Sequence, residues 1–168
     1  MGRTTFLPMD DKHLGQFGEN TARAFRPEGW MGGRPVWRLT LECLQRVTAV
    51  RDRVWRAEKS GAAEWLLDNW YLAQREGRDG AAAFRKARRL RYIVRDRVRR
   101  PLVLELARAF VWGAGADAGP QRLEIFLERA QGAQPLTERE LSLFVPALKC
   151  ALVERLDLLC RELNREDG

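Results

Sequence analysis

A chain of 168 residues, 45% apolar and 32% charged, with 14 glycines and 7 prolines, has the balance of one globular domain and is too short for most multidomain enzymes. Three cysteines far from any paired metal spacing, with a single histidine, exclude a zinc site. The most apolar stretch, Leu102 to Ala116, is broken by Glu105 and Arg108 and falls short of the roughly 20 residues a membrane span needs, so a soluble chain is expected.

Residues 1–37 hold three prolines, six glycines and little periodicity, which predicts an irregular arm. Phe17, Phe25, Trp30 and Trp37 are spaced to pin that arm onto a core. The first residues lack the apolar run of a secretion signal, and Phe6 and Leu7 stand where myristoylation at Gly2 would need Ser or Thr. His13 has no cysteine or serine neighbour at a catalytic spacing. Cys43, Cys150 and Cys160 read as small core residues of a reducing, cytoplasmic compartment.

From Trp37 the period becomes helical. Leu44, Val47, Val50 and Val54 mark an amphipathic helix over 38–59, ended by Ser60 and Gly61. Residues 62–76 are apolar all round, which predicts a helix central to the fold, and Gly77 with Gly80 predicts a turn after it. Phe84, Ala87, Leu90 or Arg91, Val94 and Val98 predict a third helix, closed by Pro101. Leu102, Leu106, Ala109 and Phe110 continue a fourth up to Gly113–Gly115, and Leu123, Phe126, Leu127 and Ala130 mark a fifth. Thr137 followed by Glu140 is a capping box that opens the last helix. A stripe there runs through Leu141, Phe144 or Val145, Leu148, Leu152, Leu156, Leu159 and Leu163, with a kink or helix restart at Pro146. No strand-like alternation stands out. The reading is an all-α fold of about six helices, antiparallel and orthogonal or bundle-like, with the arm at 1–37 packed on a single domain at 38–168.

The charge is uneven. Four lysines and 26 arginines face 23 acids, a net +7, yet the segment from Arg75 to Arg100 alone holds eleven bases against three acids. Elsewhere 19 bases meet 20 acids, so one segment carries the excess. Arg85, Lys86, Arg88, Arg89, Arg91 and Arg95 form a candidate anion-binding patch on the expected third helix. Its partners would be an anionic membrane surface, an acidic protein or, less favoured, nucleic acid, with Phe84 or Tyr92 stacking on bases.

The most distinctive string is Ala63-Glu64-Trp65-Leu66-Leu67-Asp68-Asn69-Trp70-Tyr71-Leu72. On a helix Glu64, Asp68 and Tyr71 share one face, and Trp65, Asn69 and Leu72 another. Two readings follow: a carboxylate pair for acid/base work or sugar binding, or a structural role in which Asp68 and Asn69 bond to helix ends or to arginines such as Arg85 or Arg88. The second is the working expectation.

This string closely resembles the Glu-Trp-Leu-Leu-Asp-Asn, aromatic, Tyr-Leu signature near the amino terminus of the cyclic β-1,2-glucan synthases, large bacterial membrane glycosyltransferases. Arg100-Pro101-Leu102-Val103-Leu104-Glu105-Leu106-Ala107 is similar to that family's Pro-Arg-Val-Tyr helix, and Phe126-Leu127-Glu128-Arg129-Ala130-Gln131 to a later Ala-Tyr-Gln segment. Pro135-Leu136-Thr137, Glu140-Leu141 and Pro146 resemble its Pro-Leu-Thr-x-x-Glu-Leu-Trp-x-x-Pro. Where the family has a His-Thr-Asp-Gly-Arg-Leu-Asp turn, this chain reads Trp112 to Ala118 without those polar groups. The resemblance covers about residues 62–163. It implies a helical accessory region without a catalytic site, metal or cofactor of its own, on the cytoplasmic side of the plasma membrane. Its partner would be a downstream glycosyltransferase domain or another helical protein, with Glu64, Trp65, Asp68, Asn69 and Tyr71 as the structural motif.

Overall fold

The computed structural model describes residues 8–54, 56, 61–115 and 117–166; Gly2, Phe6, Leu7 and Ser60, and the side chain of Leu163, lie outside the described residues. Seven helices make up 75% of what is described, so the all-α class holds. They are α1 (Asp11–Ala24), α2 (Arg34–Val54), α3 (Gly61–Lys86), α4 (Leu102–Ala114), α5 (Pro120–Ala133), α6 (Glu138–Ser142) and α7 (Phe144–Glu166). Three short strands, β1 (Gly29–Met31), β2 (Leu90–Arg95) and β3 (Val98–Pro101), form an antiparallel sheet in the order β1-β2-β3. The chain divides into two compact units. Unit 1 takes the described residues of Met1–Met31 and Arg89–Phe144, and unit 2 those of Gly32–Arg88 and Val145–Gly168.

In unit 1 the expected irregular arm contains a 14-residue helix. Asp10 caps α1, accepting the His13 backbone N–H at 2.8 Å and contacting the His13 Nδ1 at 2.7 Å, so His13 belongs to a helix start. The two glycines that weaken the helical signal here are packing notches. Gly15 and Gly18 are buried with Leu14 and Ala22, and a Cβ at Gly18 would meet the Phe126 carbonyl oxygen at 2.9 Å. Small residues three and four apart, Gly15, Gly18 and Ala22, let α1 lie close against α5, and the close approach outweighs the roughly 1 kcal/mol that glycine costs a helix. Phe126 sits at the centre, 5.4 Å from the Phe110 ring and 6.4 Å from Phe17. Phe17 thus does pin the arm, whereas Trp30 is 61% exposed.

The third helix expected through the basic segment is absent: α3 stops at Lys86, and residues 90–101 form a hairpin. Tyr92 pairs with Pro101, Ile93 with Arg100 and Arg95 with Val98, leaving Asp96 and Arg97 as a two-residue loop. Both have positive φ, 53° and 64°, as a type I′ loop requires. Arginine holds that conformation against a steric penalty of about 1 kcal/mol. Arg97→Gly is therefore expected to stabilise the protein by about 1 kcal/mol, seen as a rise in Tm; an unchanged or lower Tm would contradict the assignment of strain.

The capping box is present: Thr137 accepts from the Glu140 N–H, and the Glu140 carboxylate accepts from the Thr137 N–H at 2.9 Å. The helix it opens lasts only five residues, and a second starts at Phe144 with Pro146 in its first turn, which is the restart that proline favours.

In unit 2, α3 runs through Gly77 and Gly80 without a break. A Cβ at Gly77 would stand 2.7 Å from Val153 Cγ2, and one at Gly80 would stand 2.8 Å from Lys149 Cβ and 2.9 Å from the Pro146 carbonyl oxygen. These glycines seat α7 on α3, so the turn expected there is instead a tight helix crossing. The core joins Cys43, Leu44 and Val153 in one cluster and Val47, Val50, Leu66 and Cys160 in another. All three cysteines are free and buried, and burial pushes the Cys43 thiol up to about 12 and Cys150 to about 11, which keeps them inert. The leucine stripe read on α7 is turned outward in part. Val145, Leu152 and Leu159 are exposed, while Ala147, Cys150, Ala151 and Val153 are buried, a face narrow enough to meet the glycines of α3.

The one buried carboxylate in the described part of α7, Asp157, is clamped by Arg46, whose Nε lies 3.1 Å from both oxygens and whose Nη2 lies 2.9 Å from Oδ2; Arg161 Nη2 adds a contact of 2.9 Å. Burial pushes the carboxyl up, but the hydrogen bonds and charges of the two arginines outweigh it and hold it below its ordinary value of 3.8. A folded-state value below the unfolded one means stability present above about pH 4 and lost as the pH falls through it. Asp157→Asn should lower stability at pH 7 and flatten its decline between pH 5 and pH 2, measured by urea midpoints. An equally steep decline in the variant would show that other carboxylates carry it.

Candidate binding surfaces

Helix α3 forms because its first four turns carry strong helix formers and no proline, and it displays the distinctive string. The string does not form a buried pillar. Leu66 is the residue that faces the core, while Trp65 is 55% exposed, Tyr71 69% and Leu72 49%. Glu64 and Asp68 are exposed as well, and neither makes an ion pair among the described residues. Asn69 donates to the Trp65 carbonyl at 2.8 Å, one turn back on its own helix. The expected bonds from Asp68 and Asn69 to Arg85 or Arg88 are therefore not what holds this helix; Arg85 instead stacks over the Trp37 ring at 4.9 Å. The helix was expected to be central because it is apolar all round, but its inward face is filled by Ala63, Leu66, Gly77, Ala81 and Phe84, leaving the rings of Trp65 and Tyr71 outside.

Beside Tyr71, α2 and α3 enclose a groove of about 760 Å³ lined by Leu41, Gln45, Thr48, Trp70, Gln74 and Arg78 among others. Its floor is polar and satisfied. Thr48 Oγ1 accepts from Trp70 Nε1 at 3.2 Å and from Gln74 Nε2 at 2.8 Å while donating to the Leu44 carbonyl at 2.8 Å. Arg78 Nε donates to Gln74 Oε1 at 3.0 Å, and Arg51 lies 4.0 Å over the Trp70 ring. Such a lining offers an apolar wall, a fixed amide and a guanidinium edge to an incoming side chain.

The six bases expected to form a patch on one helix do not lie on one. Arg85 and Lys86 end α3, Arg88 and Arg89 lie in the connection, and Arg91 and Arg95 belong to β2. Two are already committed: Arg91 reaches Glu140 Oε1 at 2.6 Å through Nη2 and both oxygens through Nε, and Arg95 reaches Glu105 Oε2 at 3.3 Å. Lys86 and Arg89 are exposed, each making no ion pair among the described residues. Part of the local charge, on Arg91, Arg95 and Arg100, thus faces buried carboxylates. Sequence reasoning missed those carboxylates, although Glu105 inside the run Leu102–Val111 is a visible anomaly.

Glu105, fully buried on the first turn of α4, is met by Arg108 Nη1 at 2.8 Å and Arg95 Nη1 at 3.3 Å, with Arg100 Nη1 at 3.7 Å. Among the described residues, no group of three or more His, Cys, Asp or Glu is placed to hold a metal ion, and no helix is long and apolar enough to cross a membrane. No family model, curated protein or solved structure matches this chain.

Proposed function

We propose that this chain is an accessory helical domain that docks onto and positions a larger protein, without a reaction of its own. The partner implied by the resemblance is the catalytic part of a cyclic β-1,2-glucan synthase-like glycosyltransferase, at the cytoplasmic face of the plasma membrane. The observation that carries the reading is the outward display of Trp65, Tyr71 and Leu72, from the very string that bears the resemblance, beside a formed groove. Large rings held on a rigid helix supply the anchors of a protein interface at low entropic cost. A role inside the fold would have buried them.

The test is association of the purified chain with the glycosyltransferase segment of a cyclic glucan synthase from the same source, followed by analytical ultracentrifugation. Association should weaken by at least about tenfold in Trp65→Ala/Tyr71→Ala, the cost expected of losing two central aromatic anchors. Because both rings are exposed, the same variant should keep its stability to within about 0.5 kcal/mol. Failure of the wild-type chain to associate, or association unaffected by the variant, overturns the reading. The exposed Lys86 and Arg89 support a second contact with anionic headgroups. In that case the chain should bind anionic vesicles and not neutral ones, more weakly as salt rises.

A further inference from the structure

The Glu105 cluster of unit 1 opens onto a cavity of about 930 Å³ walled by α1, the β2–β3 hairpin and α4. We propose that this cavity binds a small oxyanion ligand, a phosphate or carboxylate group carried on a flat apolar body, with Arg95 and Arg100 holding the anion. This goes beyond the docking role and concerns the other unit, so the two stand or fall separately.

The first argument is charge. Three guanidinium groups converge on a single carboxylate that is wholly buried. Across the whole lining, Arg26, Arg95, Arg100 and Arg108 face Glu28, Asp96 and Glu105, four positive charges against three negative ones. Arg26, Arg95, Glu28 and Asp96 are all exposed, where water and salt screen them alike, which leaves Arg100, 25% exposed, and Arg108 beside the buried Glu105 as the sheltered charges. The partly enclosed space therefore favours an anion.

The second argument is hydrogen bonding. A guanidinium carries five N–H donors in a fixed fork. Arg100 Nε is buried with no hydrogen-bond partner among the described residues, and the guanidinium's approach to Glu105, at 3.7 Å from Nη1, is an ion pair too long for a hydrogen bond. Arg100 lines the cavity with a quarter of its side chain exposed and donates no hydrogen bond among the described residues, so its fork has donors to offer an oxygen of a bound phosphate or carboxylate. Arg95, 63% exposed and 3.3 Å from Glu105, has donors to share from the open side.

The third argument is the wall. Phe17, Phe25, Ile93 and Trp112 line the same space, giving a flat body something to lie against, and the volume falls in the range of small-molecule sites. Glu105 positions the arginines and competes with the ligand, which sets a modest affinity.

The experiment is isothermal titration calorimetry on the full chain at low salt with four probes: phenyl phosphate, benzoate, inorganic phosphate and the neutral benzyl alcohol. Phenyl phosphate or benzoate should bind, with the stronger of the two naming the anion. Inorganic phosphate should bind more weakly than phenyl phosphate, and benzyl alcohol should give no saturable heat. Added salt should weaken binding. Arg100→Ala, checked for native circular dichroism, should lose about tenfold in affinity, as expected for one charge-assisted hydrogen bond. If that variant does not fold, Arg95→Ala at the exposed side serves instead with the same expectation. Glu105→Gln, which removes the competing charge, should tighten binding. No saturable heat from either aromatic anion, binding of benzyl alcohol equal to theirs, or an affinity unmoved in the arginine variant overturns the proposal.

Discussion

Arg91→Ala should destabilise the protein by about 3–5 kcal/mol, the cost of leaving a buried charge without its partner. The Glu140 side chain is 1% exposed and receives Arg91 Nη2 at 2.6 Å and Nε at 3.1 and 3.2 Å, and the same guanidinium donates to the Pro135 carbonyl at 2.9 Å. Removing the arginine strips the carboxylate of its counter-charge while the surrounding chain still excludes water. The double variant Arg91→Ala/Glu140→Gln should recover part of the loss, since glutamine carries no charge and still completes the capping box with Thr137. Equilibrium urea denaturation of the three proteins decides the matter. A single-variant loss under about 1 kcal/mol would show that Glu140 is not isolated from solvent, which would undo this account of unit 1.

Gly33→Ala should cost on the order of 3 kcal/mol or more, at the upper end of what overpacking imposes. A Cβ there would lie 2.2 Å from the Phe84 carbonyl oxygen and 2.9 Å from its carbon, and backbone cannot turn aside as a side chain can. The position is also pinned, because the Gly33 N–H donates to the Ala87 carbonyl at 3.0 Å and its own carbonyl accepts from the Val36 and Trp37 N–H groups. Gly132→Ala is the control. Nothing lies within 4 Å of a Cβ at Gly132 near the end of α5, so alanine there should be neutral or stabilising by up to about 1 kcal/mol. Thermal melts that fail to separate the two substitutions would mean that α2 and α3 can part at little cost.

What could be read from the residues divides along physical lines. The helices α2, α4, α5 and the break around Pro146 follow from periodicity and capping, which are local properties. Glycine misled in α1 and α3 because its two uses, ending a helix and letting another approach, look the same in one dimension. The hairpin was missed because Phe84, Ala87, Leu90, Val94 and Val98 fit a helical period by coincidence. The cluster Tyr92-Ile93-Val94 with its aromatic and β-branched residues was the contrary signal. At the candidate surfaces, the string on α3 stands out in the sequence, but its exposure depends on what α2 and α7 cover, which no residue within it specifies. The arginines were read as a surface excess because their acidic partners stand ten to 49 positions away along the chain.

The chain passes between the two units at Met31, again at Arg88 and a third time at Phe144. Neither unit is therefore a continuous stretch of polypeptide. On the ribosome, the sheet of unit 1 cannot gain β2 until the whole of Gly32–Arg88 has emerged, and unit 2 waits longer still for α7. Completion is deferred to α7, so nascent forms stopped before Val145 should remain open to proteases and chaperones, and neither unit can be cut out by a single truncation.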